Sequence, residues 1–422
     1  MHAKFVSFSK YFLMLLILAG TAFAGGKVIP LTTNSEEARA NFEKGITALE
    51  TFQFQEVTTF AKKAVEADSN FAMAHMLLAA TAQQDQRQTH IDKFTRLAAN
   101  ASKGEQSYLE GMVHSYKNEF EQALEKFNAL AKTFPEDRRV RMMLGMTHMR
   151  LAKFDEAIAD FEAANKIDAS TPRATSFIGD CHLLKENYAK ARDYYKQVIG
   201  KVDRDASPFG PFFGTAFTYL YEGKPEAAFE PIDEFLQRYN RNGGAQGFPP
   251  VWIWNLKGRI NLESGRLEEA IRNYETGYKS VPPSTQPEDQ KQVWLGRMHM
   301  GLARALAKMG KHNEAWQEAE IIRKGIEADT AKFGEYWPSY HYMAGYLKLE
   351  AGEYPKAIEH LKQADLEDVF NKLLLARAYL KTGQKDEALK LCDEITKFNT
   401  NNLDRALSYP EAKKIIAMHA SN

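Results

Sequence analysis

The sequence predicts an all-α solenoid of stacked antiparallel helix pairs, on three observations. Residues 150–170 read RLAKFDEAIADFEAANKIDAS and residues 262–283 read LESGRLEEAIRNYETGYKSVPP, the same skeleton of turn, EAI, aromatic and small residue. Gly111, Gly145 and Gly179 stand 34 residues apart; twelve residues after each comes Ala123, Ala157 or Ala191, and sixteen after each comes Phe127, Phe161 or Tyr195. The offsets recur from Gly258 (Ala270, Tyr274), from Gly345 (Ala357, Leu361) and from Ala376 (Ala388, Cys392). Turns such as ESGRL (263–267), KMGKH (308–312) and KTGQK (381–385) place glycine just past a helix, where a left-handed residue closes it.

Each segment then finds its place in order. Lys4 and Lys10 precede the apolar run YFLMLLILAG (11–20), and Ala22 and Ala24 flank a cut, the layout of a secretory signal peptide over residues 1–24. The run is short for a membrane span, so no stable membrane insertion is expected after cleavage, and no cysteine at the cut invites a lipid. The chain is therefore expected to be exported, to the periplasm or beyond the cell. Residues 25–34 read as a short linker. An N-terminal array over 35–202 holds a fair first unit (36–69), a second stretched by QQDQRQTH (83–90), and regular units from near 104, 138 and 172.

Between 203 and 338 come irregular units with four joints: DRDASPFGPFFG (203–214), NRNGGAQGFPP (240–250), VPPSTQPEDQ (281–290) and DTAKFGEYWP (329–338). Stretches this rich in Gly and Pro read as loops, and the superhelix is expected to bend there. Two further units fill 339–402. Residues 403–422, with PEAKKIIAMHA (410–420), read as a helix closing over the final unit. The sum is about ten units.

The period and residue types resemble the tetratricopeptide repeat from about Ser35 to Asn399; Trp254, Gly258, Ala270, Tyr274 and Pro282 reproduce most of its pattern, with Asn261 in place of the first-helix aromatic. The resemblance implies a right-handed superhelix in which small residues let helix backbones approach and aromatics fill the gaps between them. One such hairpin cannot bury its apolar face alone, so neighbours stack.

Chemistry is sparser. The chain has 55 basic and 55 acidic side chains, a neutral balance that argues against nucleic acid or an anionic membrane as partner. No nucleophile elbow, zinc-protease helix, phosphate loop or paired-cysteine knuckle occurs, so no catalytic residue is assigned, no cofactor is expected, and the chain is read as a non-enzyme. Cys181 and Cys392 fall in distant units and read as buried thiols. His114, His148 and His182 follow the regular glycines by three residues. Helices stand about 8–10 Å apart, whereas ligands on one zinc lie within roughly 3–4 Å, so these rings read as aromatic stand-ins rather than a metal ladder. Met142, Met146 and Met149 form one helical stripe that could hold Cu(I) in a carrier, a minor alternative. An accessory subunit or helical-repeat enzyme of the cell envelope is another.

The preferred reading is a scaffold that binds a protein or peptide partner in its concave groove. The resemblance places the first helix of each pair on that groove, and its inward positions map to Met142, Met146 and Arg150, then Phe213, Phe217 and Tyr221, then Trp252, Asn255 and Arg259. Met300 and Arg304, Tyr342 and Tyr346, and Arg377 follow. Aromatics, methionines and arginines are the side chains that carry interface energy.

Overall fold

The structure, a computed structural model, describes residues 27–82, 84–202, 209–241, 250–281 and 288–419. The expected leader lies outside them, as do most of the first three joints (203–208, 242–249 and 282–287).

Ten helix pairs follow one another among the described residues. The first five are α1 (Glu36–Glu50) with α2 (Phe54–Ala67), α3 (Ala72–Thr81) with α4 (Gln84–Ala98), α5 (Lys103–Tyr116) with α6 (Phe120–Thr133), α7 (Arg138–Arg150) with α8 (Phe154–Ile167), and α9 (Arg173–Leu184) with α10 (Tyr188–Lys201). The next three are α11 (Phe209–Tyr221) with α12 (Phe229–Arg241), α13 (Val251–Glu263) with α14 (Leu267–Lys279), and α15 (Glu288–Lys308) with α16 (His312–Ala328). A short α17 (Thr330–Phe333) precedes α18 (Trp337–Glu350) with α19 (Tyr354–Leu361), and α20 (Val369–Lys381) with α21 (Lys385–Lys397). The last helix, α22 (Leu403–His419), has no partner of its own. The fold is an all-α solenoid, each pair packed on the next.

The glycine-to-aromatic offset has a steric cause. A Cβ added at Gly111 would stand 2.8 Å from the Phe127 ring, at Gly145 2.5 Å from Phe161, and at Gly179 2.7 Å from Tyr195. Each ring occupies the space beside the bare backbone of its own hairpin that a side chain at the glycine would need. Tyr195 also fills the space where a Cβ of Gly214, one pair further on, would come within 2.6 Å. The alanines of the second helices, Ala123, Ala157, Ala191, Ala270, Ala357 and Ala388, are all fully buried at the helix crossings.

Turns within nine of the ten pairs use one left-handed residue each among the described residues. Glycine holds the place at Gly223, Gly265, Gly310, Gly352 and Gly383, with φ between +70° and +80°, as the composition of those turns predicts. Phe52, Asn118, Ala152 and Glu186 occupy the same slot at φ near +60°, so the turn geometry holds even where the residue does not favour it.

Three stretches differ from expectation. Residues 27–33 are docked rather than free: Ile29 is buried, its N–H donates to the Asp137 carboxylate at 2.9 Å, and Thr32 N–H donates to Glu105 at 3.0 Å. The first and fourth joints are partly helical. Phe209 to Gly214 open α11, and 329–338 form α17, a 3₁₀ turn (Gly334–Tyr336) and the start of α18. Lastly, α22 packs not only on α20 and α21 but also on α11, far back along the chain. No described helix is long and apolar enough to cross a membrane.

Candidate functional site

Sixth to tenth pairs curve around a cavity of about 710 Å³. Its walls are α11, α13, α15, α16, the 333–340 stretch, the turn leading into α20 and the first turn of α22. The eighth pair is longer than its neighbours, 21 and 17 residues in α15 and α16, and Ile321, Ile322 and Ile326 of α16 line one side. The aromatic 333–340 stretch brings Phe333, Tyr336 and Tyr340 to the rim.

Seven of the residues expected on the groove line this cavity: Phe213, Trp252, Asn255, Arg259, Met300, Arg304 and Tyr342. They come from α11, α13, α15 and α18, the first helices of four consecutive pairs. Tyr342 and Arg304 are buried and Trp252 is exposed, so these residues reach from the floor to the mouth.

Polar contacts organise the floor. Arg259 donates to Asp404 at 3.1 Å, lies 3.9 Å from Glu263, and sits 4.2 Å from the Phe370 ring centroid. Burial alone would loosen its proton, but Tyr342, Asp404 and Glu263 outweigh burial and hold the guanidinium charged. Arg304 donates to the hydroxyls of Tyr342 (2.5 Å) and Tyr274 (3.3 Å) and to the Met300 carbonyl (3.0 Å). Beneath them Glu263, desolvated yet kept ionised by Lys308 and Arg259, accepts from Lys308 at 3.1 Å. Asp368 caps α20 by accepting from Phe370 N–H at 2.7 Å; burial and the neighbouring Asp404 push its carboxyl up to about 6 against the pull of Arg259. Higher on the wall, the Arg297 guanidinium lies 4.3 Å from the Trp252 ring and 5.1 Å from Trp294, and burial depresses its pKa.

The other seven expected residues lie elsewhere. Tyr346 is fully buried under the floor, its hydroxyl donating to Glu263 at 3.3 Å. Arg377 makes a two-pronged ion pair with Glu411 of α22, at 2.7 and 2.5 Å. Tyr221 accepts from Arg405 of α22 at 2.7 Å and stacks on Tyr188, and Phe217 is buried in the same apolar layer. Arg150 covers the Phe120 ring and donates to Thr400 at 2.5 Å. Met142 and Met146 pack with Met149, Phe154 and Phe177 between the fourth and fifth pairs. The expected positions thus divide three ways: seven line the cavity, Arg150, Tyr221 and Arg377 meet the chain's own segment 400–413, and Met142, Met146, Phe217 and Tyr346 pack inside the stack.

Of the three histidines, only His182 stacks on an aromatic, with its ring 5.3 Å from that of Tyr194. His114 and His148 instead meet carboxylates, Glu119 at 2.6 Å and Asp160 at 2.8 Å. Cys181 and Cys392 are buried and unpaired, and burial raises both thiol pKa values. Among the described residues no group of three or more His, Cys, Asp or Glu is placed to hold a metal.

Sequence reasoning missed Arg297, Tyr336, Tyr340, Asp365, Asp368 and Asp404. The aromatic density of residues 333–340 was a usable signal for Tyr336 and Tyr340, and Arg297 sits one helical turn before Met300. Nothing in the sequence announces Asp404, which reaches the cavity only because α22 folds back.

A sequence profile of the tetratricopeptide repeat matches residues 108–170 and 142–211, and a second matches residues 348–408. No curated protein matches the chain in sequence. Among solved structures, a tetratricopeptide repeat protein from Parabacteroides merdae is 16% identical, with 62% of this chain and 98% of that one covered at a TM-score of 0.37. The human IFIT1 dimer with m7Gppp-AAAA is 15% identical over 86% of this chain and 90% of its own, at 0.40. YrrB, described as a tetratricopeptide-type protein with an unusual peptide-binding site, is 18% identical over 49% and 88%, at 0.27.

Proposed function

Because this chain is a tetratricopeptide repeat protein, we propose that it is a non-enzymatic scaffold that seats a segment or helix of a protein partner in the cavity between α11, α13, α15 and α18. One observation carries the reading: first helices of four consecutive pairs converge on one cavity, bringing exposed Trp252 and half-buried Phe213 together with buried, hydrogen-bonded Arg304 and Tyr342. Aromatic anchors with arginine orientation are the usual means by which interfaces hold a segment. The cavity lies within the ~300–1,000 Å³ of ligand sites generally. The leader-like residues 1–24 support export, and the neutral charge balance supports a protein rather than a nucleic acid as partner.

The reading is tested with a photo-crosslinking amino acid placed at Phe213 or Trp252 in the chain from Gly25 onward, mixed with native cell envelope. A third crosslinker at Lys196, exposed on α10, is the control. Adducts of one partner from positions 213 and 252 but not 196 are expected. Adducts confined to 196, or equal from all three, would place recognition on another surface.

A further inference from the structure

The cavity sorts its charges by wall. All three of its arginines, Arg259, Arg297 and Arg304, project from α13 and α15, whereas its three aspartates, Asp365, Asp368 and Asp404, stand at the entry to α20 and the start of α22. Only Arg259 and Asp404 join the two sides.

The remaining charges make no ion pair among the described residues, although Arg304 acts on Glu263 and Arg259 on Asp368 at longer range. Arg304 is 5% exposed, yet its three hydrogen-bond acceptors are two tyrosine hydroxyls and a carbonyl, all neutral. Arg297 makes no hydrogen bond or ion pair among the described residues; indole rings alone hold it. Asp365 and Asp368 accept only backbone N–H groups, of Glu367 at 2.9 Å and Phe370 at 2.7 Å, and neither has a cation within ion-pair distance among the described residues. Arg304 is buried and Arg297 and Asp368 are half-buried, and charges withdrawn from water without a counter-charge are costly. Asp365 is exposed and lines the same cavity.

We propose that the cavity receives a partner segment carrying both signs of charge: a carboxylate towards Arg297 and Arg304, and an ammonium or guanidinium towards Asp365 and Asp368. An aliphatic or aromatic side chain lies between the two, against Phe213 and Ile322. This rests on the cavity being the recognition site, and it adds the chemistry of what is recognised. A wholly acidic segment would press a carboxylate on the aspartate side, and a wholly basic one would press a cation on the arginines; like-charge contacts of this kind exclude wrong partners. Arginine with a carboxylate also gains paired, charge-assisted hydrogen bonds.

The test uses the chain from Gly25 onward and four kinds of blocked pentapeptide with a Leu-Phe-Leu centre. Their ends are Glu and Lys (in both orders), Glu and Glu, Lys and Lys, or Gln and Gln. Binding is read from tryptophan fluorescence, since Trp252 stands on the wall, and by calorimetry. One mixed-charge peptide is expected to bind about tenfold more tightly than the other three kinds, the factor expected for one charged pair of this type. Arg297→Gln is expected to erase its advantage over the Lys-ended peptide. Asp368→Asn, which keeps a good helix cap, is expected to erase its advantage over the Glu-ended one. Equal binding of the Gln-ended peptide, an unchanged ranking in either variant, or no binding by any probe would overturn the proposal. Crosslinks from Phe213 alongside such a result would leave the cavity as a recognition site and sink only its charge preference; loss of both would sink both.

Discussion

Gly145 shows how one absent methyl group sets the geometry of a whole pair. On an exposed helix, Gly→Ala stabilises by about 0.5–1 kcal/mol because the unfolded chain loses freedom. Here the added carbon would sit 2.5 Å from the buried Phe161 ring, so α7 and α8 must separate or the ring must leave its rotamer. Overpacking of this kind costs about 1–3 kcal/mol, and Gly145→Ala should destabilise by that amount in chemical denaturation. A gain in stability would mean that the pairs are looser than the packing indicates. His182 supplies a second residue-scale prediction. Burial, then Lys190 and Lys185, lowers its pKa below 6.5, so the folded chain resists a proton that the unfolded chain accepts. Its contribution is therefore present above about pH 6.5 and lost as pH falls below it. His75, His90, His341 and His360 are lowered as well, so wild-type protein should melt earlier at pH 5.0 than at 7.5. Asp180 works the other way: burial pushes its carboxyl up to about 6, so its ionisation weakens the fold as pH rises through that value. His182→Phe keeps a ring against Tyr194 and removes the proton, so its melting temperature should drop less between the two pH values. An identical drop would exclude His182 as a contributor.

At the scale of elements, the regular pairs were legible because their signal is local. A glycine and an aromatic sixteen residues apart face each other only when two helices of standard length are joined by a standard turn. Where that spacing changes, the within-pair contact is lost from the offset: sixteen residues beyond Gly214 and Gly301 stand Glu230 and Gln317. Those two glycines meet instead the rings of the preceding pairs, Tyr195 and Tyr274. A Pro225–Ala228 3₁₀ turn follows Gly214 in its own pair, and the pair of Gly301 has the longer helices. The joints misled for a related reason. Gly210 and Pro211 in the first joint, and Gly334 and Pro338 in the fourth, resemble loop composition, but Pro is well tolerated in a first helical turn, and Phe209–Gly214 and Trp337–Pro338 are helix starts. Inward positions on α11, α13, α15 and α18 could be mapped from the resemblance to the repeat family, and so half of the cavity could be. Its acidic half could not, because it depends on where two distant segments meet.

At the scale of the molecule, the largest surprise is α22. Hydrogen bonds run from Asn401 to Asp180, from Arg405 to Tyr221, and from Tyr409 and Lys413 to Glu186, spanning 184 to 227 residues of sequence. Pairing at such separation leaves no periodic trace, so the sequence could place this helix only on its neighbour, the final pair. Deleting residues 403–422 should therefore loosen two places at once. Hydrogen exchange should quicken in α20 and α21, as for any lost cap, and also in α11, which lies far away in sequence. Faster exchange in α20 and α21 alone would show the distant contacts to be energetically idle.

That tie changes how the molecule would respond to tension. An open stack of helix pairs extends like a coil spring, each pair opening slightly against its neighbour. Here one end is stitched to Asp137 through Ile29 and the other to Glu186 through Tyr409 and Lys413, and these anchor points lie on adjacent pairs. A pull between residues 27 and 419 would load those two stitches in shear while most of the stack stayed slack. Extension would begin with their rupture, and only then would the spring take up the force.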